Sequence, residues 1–229
     1  MPSRPGNGTA GGYAGGPPDG TVVDMTMTHL PLRAQPLHVP AALPVGPFRT
    51  VPNAVTLVRT VLAVLLGVIA VATGDLWLLA VAYAVFWVGD IADGWSARKL
   101  GQETRAGAVF DIVCDRACTG ILCVGLVASI PAALPVVVVF VLSFMVLDSM
   151  LSMAFLCWPV LGPNYFHVVD RRVWQLNWSP LAKAANTAGV VGALALELFS
   201  VAFAVAVVVL GIKLWSARRV IRLLAAEGR

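Results

Sequence analysis

The sequence predicts an all-α integral membrane protein with six transmembrane helices, and three observations carry that reading. Hydrophobic residues make up 59% of the 229 and charged residues 12%, with a mean hydropathy of +0.84, whereas soluble domains carry about 25% charge. Apolar runs of spanning length recur at 54–73, 76–96, 107–129, 134–157, 181–198 and 200–217, and a spanning helix takes about 20 such residues. Basic residues also segregate. With the N-terminus placed in the cytoplasm, the outer connections around Thr73, Gly74 and Asp75, around Ile130 and Pro131, and at Glu197 contain no Lys or Arg. The inner connections and both flanks hold the basic residues. This positive-inside pattern fits six spans with both termini cytoplasmic. The net charge of +4 is modest and gives no footprint for nucleic acid.

Each element follows in order. Residues 1–46 are rich in Gly, Pro, Thr and Ala and are expected to be disordered or weakly ordered, because they cannot bury enough apolar surface to offset their ordering entropy. They carry no basic stretch followed by an apolar one, so no secretory signal is read there. The membrane domain is expected over 47–217. Pro52 suits the first turn of helix one. Residues 99–106 are short and polar and reverse the chain, making helices two and three antiparallel neighbours. Pro131 and Pro135 fit a tight outer turn before helix four. Residues 158–180, with Arg171, Arg172, Trp174 and Trp178, suit an interfacial stretch at headgroup level. Glu197 and Ser200 mark the break between the last two helices, and 218–229 form a basic cytoplasmic tail. The four cysteines form no C-x-x-C pair, so zinc is not suggested.

Function is expected at the cytoplasmic ends of helices two and three. Asp90, Asp93, Asp111 and Asp115 stand there in apolar stretches, and each carboxylate costs about 2.5–3.5 kcal/mol on insertion scales. Helical spacing puts Asp90, Asp93, Gly94, Ala97 and Arg98 on one face, and Gly107, Asp111 and Asp115 on another. Facing each other, the two sets make an oxygen-rich site suited to hard divalent cations, Mg²⁺ or Mn²⁺, and two ions are expected. One carboxylate of such a crowded set is a candidate general base. The small residues leave room for a ligand, and Arg98 suits a phosphate. The reaction class indicated is phosphoryl transfer.

These residues resemble the signature of the CDP-alcohol phosphatidyltransferase family. It stands as Asp90-x-x-Asp93-Gly94-x-x-Ala97-Arg98, eight residues, Gly107-x-x-x-Asp111-x-x-x-Asp115, and every fixed position matches. The resemblance implies that phosphatidyl passes from CDP-diacylglycerol to an alcohol while CMP leaves, in phospholipid biosynthesis at the cell membrane. It implies Asp90, Asp93, Asp111 and Asp115 as metal ligands, with Asp115 as the catalytic base. Asp93, Gly94, Ala97, Arg98 and Gly107 would line the CDP-lipid site, and a homodimer is expected. Upstream, Pro52-Asn53-x-x-Thr56-x-x-Arg59 is similar to the first helix of the phosphatidylglycerophosphate and cardiolipin synthase branch, which adds Asn53 and Thr56 to the nucleotide side.

That branch favours glycerol 3-phosphate or phosphatidylglycerol as acceptor, with an inositol-type acceptor as the alternative. The chain departs from the branch at Leu147 before Asp148, where Arg is usual, and at Ile112, where Pro is usual. Arg116, Arg171, Arg172 and Lys183 are candidates to bind acceptor phosphate, and Asp148 is expected to face the bundle interior. A divalent-cation transporter is the alternative of another class. It fits less well, because the four acids sit at one end of two helices rather than along a path.

Overall fold

A computed structural model describes residues 43–228, together with all side chains in that range except 186–188 and 195. The segment expected to be disordered, 1–46, lies outside the described residues up to position 42. Among the described residues all regular structure is helical.

Helix α1 (Val51–Thr73) begins where the Thr50 hydroxyl accepts a hydrogen bond from the Asn53 amide, with Pro52 in the first turn, where its missing N–H costs nothing. The helix buries Thr56, Arg59, Ala63, Gly67 and Ala70. Its opposite face exposes Leu57, Val61, Leu65 and Val68. An apolar face that open suits lipid, because patches of this kind are rare on water-soluble monomers.

Gly74 ends α1 at φ 69°, and Asp75 opens α2 (Leu76–Leu100) by accepting from the amides of Trp77 and Leu78. Helix α2 stops at Gly101, φ 62°, a left-handed position that glycine adopts without steric cost. Thr104 then caps α3 (Arg105–Ser129) by accepting from the Gly107 amide. The polar link expected at 99–106 therefore tightens to 101–104, with both helices running further into it. Helix α1 packs on α2 and α3 together, and α2 on α3. At Gly125 a Cβ would lie 2.5 Å from Leu79 Cδ1, so the bare backbone sets how closely α3 meets α2.

The fourth span, Pro131–Cys157, is not one regular helix. A 3₁₀ turn leads into α4 (Leu134–Val141), a π-helical segment (Leu142–Asp148), α5 (Ser149–Met153) and a second 3₁₀ turn. Beyond it come α6 (Arg171–Asn177), α7 (Pro180–Ala195) and α8 (Phe199–Ala226). Five helical stretches among the described residues are long and apolar enough to cross a membrane. The run expected as the fifth of six spans is α7, which has 16 residues. At about 1.5 Å per residue it covers about 24 Å, short of an approximately 30 Å hydrocarbon core. Pro180 starts it, and the turn at Glu197, φ 56°, ends it close to the expected break.

The segment expected at headgroup level packs against the protein. Trp158, Phe166, Val173 and Trp178 are buried, and they pack with Ile112, Leu151, Phe155 and Val220 in one apolar core. Asp170 caps α6 and pairs with Arg219, and Asn177 donates to the Ser216 hydroxyl at 2.9 Å. Residues 158–180 thus fold back against α8 because their aromatic side chains find protein partners; Trp174 alone of the three tryptophans there stays outside the core's buried set.

Candidate active site

The four aspartates converge as their spacing requires, around a side chain from α1. Arg59 is 3% exposed. Its Nε donates to Asp93 Oδ2 at 2.7 Å, and its Nη2 donates to Asp111 Oδ1 at 2.5 Å and to Asp115 Oδ1 at 2.9 Å. The same Nη2 lies 3.5 Å from Asp90 Oδ1. The Thr56 hydroxyl, one turn earlier, is 2.7 Å from Asp93 Oδ2. Arg59 Nη1 is buried with no hydrogen-bond partner, and the Phe86 ring centre lies 5.4 Å from Cζ. The arginine stem runs over Gly89, where a Cβ would sit 2.5 Å from Arg59 Cβ and Cδ. Only a bare backbone beside Asp90 leaves that path open.

Asp90, Asp93 and Asp111 can each offer one carboxylate oxygen within 4.8 Å of the others. That donor set fits a hard divalent cation, which prefers carboxylate oxygens. Asp115 joins the group through its shared contact with Arg59. Four carboxylates against one guanidinium leave a strongly negative centre.

Beside it opens a polar cleft. Asn53, Thr56, Asp93, Gly94, Ala97, Arg98, Gly107 and Asp111 line it, so every residue expected on the CDP side is present. Gly107 is tight: a Cβ there would meet Asn53 Oδ1 at 2.8 Å and Thr104 Oγ1 at 3.0 Å. The Asn53 amide nitrogen donates to the Phe48 carbonyl at 2.6 Å, which leaves its Oδ1 directed toward Gly107.

The far wall was not legible in the sequence. Gln102, Glu103 and Thr104 line the cleft from the α2–α3 link, and Leu161, Gly162, Pro163, Asn164 and Tyr165 line it from the segment after the fourth span. The Tyr165 hydroxyl donates to Glu103 Oε2 at 2.7 Å and ties the two walls together. That hydrogen bond, with some burial, raises the phenol above its ordinary value. Gly162-Pro163 signals a turn, but nothing local in the sequence signals where the turn docks.

The residues expected on the acceptor side part company. Lys183 Nζ donates to Asn164 Oδ1 at 2.9 Å, which puts it at the cleft rim. Arg171 and Arg172 stand exposed at the start of α6 and are not among the residues lining the cleft. Arg116 turns away to Asp148 Oδ2 at 2.5 Å and Ser149 Oγ at 2.8 Å, with its Cζ 3.8 Å from the Phe144 ring centre. Asp148 also takes Lys213, which is buried within α8. Two cations on one interior carboxylate account for Asp148, and the bundle-interior position expected for it is the one observed. Lys213 carries no motif that marks it in the sequence.

Comparison with known proteins gives a consistent set of matches. A family model for CDP-alcohol phosphatidyltransferases matches residues 49–215. A phosphatidylinositol phosphate synthase of Mycolicibacterium smegmatis is 41% identical over 75 residues, 33% of this chain and 34% of the relative. One of Corynebacterium glutamicum is 36% identical over 89 residues, 39% of this chain and 41% of the relative. One of Mycobacteroides abscessus is 38% identical over 76 residues, 33% and 34% of the two. The matched stretch thus spans about a third to two fifths of each relative's length. No solved structure gives a significant match.

Proposed function

Since the chain belongs to the CDP-alcohol phosphatidyltransferase family, we propose that it transfers phosphatidyl from CDP-diacylglycerol to an inositol-type acceptor and releases CMP. The observation that carries the proposal is the convergence of Asp90, Asp93 and Asp111 beside a cleft lined by the small residues Gly94, Ala97 and Gly107. The acceptor is argued from the relatives, each a phosphatidylinositol phosphate synthase. They favour inositol chemistry over the glycerol 3-phosphate or phosphatidylglycerol expected from the first helix.

In this reading Asp90, Asp93, Asp111 and Asp115 hold Mg²⁺ or Mn²⁺, which when bound neutralises charge on the pyrophosphate link. Asn53, Thr56 and Arg98 bind the CDP moiety, and Gly94, Ala97 and Gly107 give its backbone-side room. Asp115 accepts the proton of the acceptor hydroxyl as its oxygen forms a bond to the phosphorus bearing the diacylglycerol; the bond from that phosphorus to CMP breaks, and CMP departs with the electron pair. Lys183 at the cleft rim, with Arg171 and Arg172, meets an anionic acceptor. The protein works as a homodimer in the cell membrane with this site on the cytoplasmic face and both termini there, α7 completing the sixth span.

The second reading keeps glycerol 3-phosphate as acceptor, because Arg59 of the helix-one pattern reaches the centre of the site. One experiment separates the two. Purified protein receives radiolabelled CDP-diacylglycerol, Mg²⁺ and, in turn, inositol, inositol phosphate, glycerol 3-phosphate and phosphatidylglycerol, and the lipid product is identified. An inositol-containing lipid is the expected product. A glycerol-derived product alone would move the assignment to the second reading, and no CMP release with any alcohol would remove both. Divalent-ion flux into vesicles in that last case would favour the transporter.

A further inference from the structure

We propose that one side of α8 holds an anionic phospholipid, with the lipid phosphate on Arg218 and Arg222 and an acyl chain along the apolar residues before them. Neither arginine lines the cleft, so this site is separate from the proposed reaction and does not depend on the acceptor.

The spacing along α8 sets the surface. Ala204, Val208, Gly211, Trp215, Arg218 and Arg222 follow one another at alternating steps of four and three residues, which makes one stripe on a helix. Every one of them is exposed, Val208 at 62% and Trp215 at 41%. The stripe is apolar up to Trp215 and basic beyond it. From Ala204 to Trp215 it runs about 16 Å, close to half of a hydrocarbon core about 30 Å thick. One acyl chain of the adjoining leaflet thus has a track of matching length, and Trp215 stands where an aromatic ring meets headgroups. A Cβ at Gly211 would meet nothing within 4 Å, so the bare backbone leaves a notch on that track.

The basic end lacks a counter-charge. Arg219 is held by Asp170 Oδ2 at 2.5 Å, and its Cζ lies 5.7 Å from the Trp215 ring centre. Asp170 also caps α6, so this pair fixes the end of α8 in place. Among the described residues no carboxylate pairs with Arg218 or Arg222. One turn apart, the two can share a phosphate, which guanidinium matches in geometry as well as charge. A zwitterionic headgroup would bring its own cation against them, and an anionic one would not. A second copy of the chain fits less well, because a two-fold interface on this face would bring both arginine pairs together. Ala217 and Val220, on the opposite side of this part of α8, share a core with Ile112 beside Asp111. The lipid therefore lies in the leaflet next to the acidic site.

The test uses the full chain in phosphatidylcholine nanodiscs doped with phosphatidylglycerol brominated on its acyl chains. It reads the part of the tryptophan quenching that Trp215→Phe removes, with brominated phosphatidylcholine as the reference lipid. The wild-type chain is expected to favour the anionic lipid. Arg218→Gln and Arg222→Gln should each lower that preference about 5-fold, the effect of one basic side chain at an anionic surface, and the double variant should abolish it. Equal quenching by the two lipids in the wild-type chain overturns the proposal and needs no variant to fold. A double variant that keeps the preference overturns it as well. Relief of the quenching by millimolar inorganic phosphate would show a site for soluble anions instead of a lipid. A disulfide between copies in Gly211→Cys, absent from the wild-type chain, would show a second copy on this face, with the same consequence.

Discussion

Removing the carboxylate of Asp148 should destabilise the protein by about 3–5 kcal/mol, the usual consequence of breaking a buried ion pair from one side. The structure explains why the upper part of that range applies. The Asp148 side chain is 12% exposed, and it faces Arg116 at 15% and Lys213 at 5%; Ser152 adds a hydrogen bond at 3.3 Å. In Asp148→Ala, Arg116 keeps Ser149 and the Phe144 ring, so part of its compensation survives. Lys213 loses the carboxylate to which its ammonium is bound and stays within α8. The larger share of the loss therefore belongs to Lys213. Replacing it as well, in Asp148→Ala/Lys213→Met, should recover about 2–3 kcal/mol, since an apolar replacement of a buried ion is often neutral. Trp158 and Trp178 in the apolar core report unfolding by fluorescence as denaturant is raised in detergent. A single variant within about 1 kcal/mol of wild type, or a double variant as unstable as the two singles summed, would refute the argument.

Other outcomes follow from the same geometry. Asp115→Asn should lower kcat about 10²–10⁴-fold, the range for a general base, with nucleotide binding largely kept; normal turnover in CMP-release assays would contradict the role. Asp90→Asn should weaken Mn²⁺ and CDP binding together, read by calorimetry. Gly107→Ala pushes a methyl group to 2.8 Å from Asn53 Oδ1, so it should raise KM for the CDP-lipid with little change in thermal stability; an unchanged KM would show that the nucleotide does not use this wall. Asp170 lies outside the spans. Burial alone would raise its carboxyl, but hydrogen bonds from the Val173 amide and from Arg219 and the Arg172 amide hold it below the usual range. Its contribution to stability is therefore present above the unfolded carboxylate value of about 3.9 and is lost as pH falls through the depressed folded value. Asp170→Asn should flatten that acid limb in an unfolding series.

The membrane class and the aspartate face were legible because both depend on local periodicity. Carboxylates at i and i+3, or i and i+4 and i+8, share a helix face whatever the rest of the chain does, and a short link makes the two faces meet. The caps Thr50, Asp75 and Thr104 act within three residues of themselves, and the sequence reading did not single them out. The rest of what was missed depends on distant partners. Arg59 reads in sequence as a basic residue near a helix entrance, and its place among the acids follows only from how α1 lies on α2 and α3; the one local trace was Gly89 directly before Asp90. The core packing of Trp158 and Trp178 was not legible from composition, because tryptophans look the same in sequence whether or not they find protein partners. The cleft wall at 161–165 and Lys213 are placed by tertiary docking alone. The 16-residue α7 shows the limit of hydropathy counting, where an apolar run and the helix it forms differ in length.

The cleft has spanning helices on one side and a tyrosine-tied turn on the other. In the proposed reaction the donor is a nucleotide at one end and two acyl tails at the other, so it would meet both surroundings at once there. Its soluble fragment would then leave past the turn and the tails along the helices, and loosening the Tyr165 tether would alter the first route and not the second.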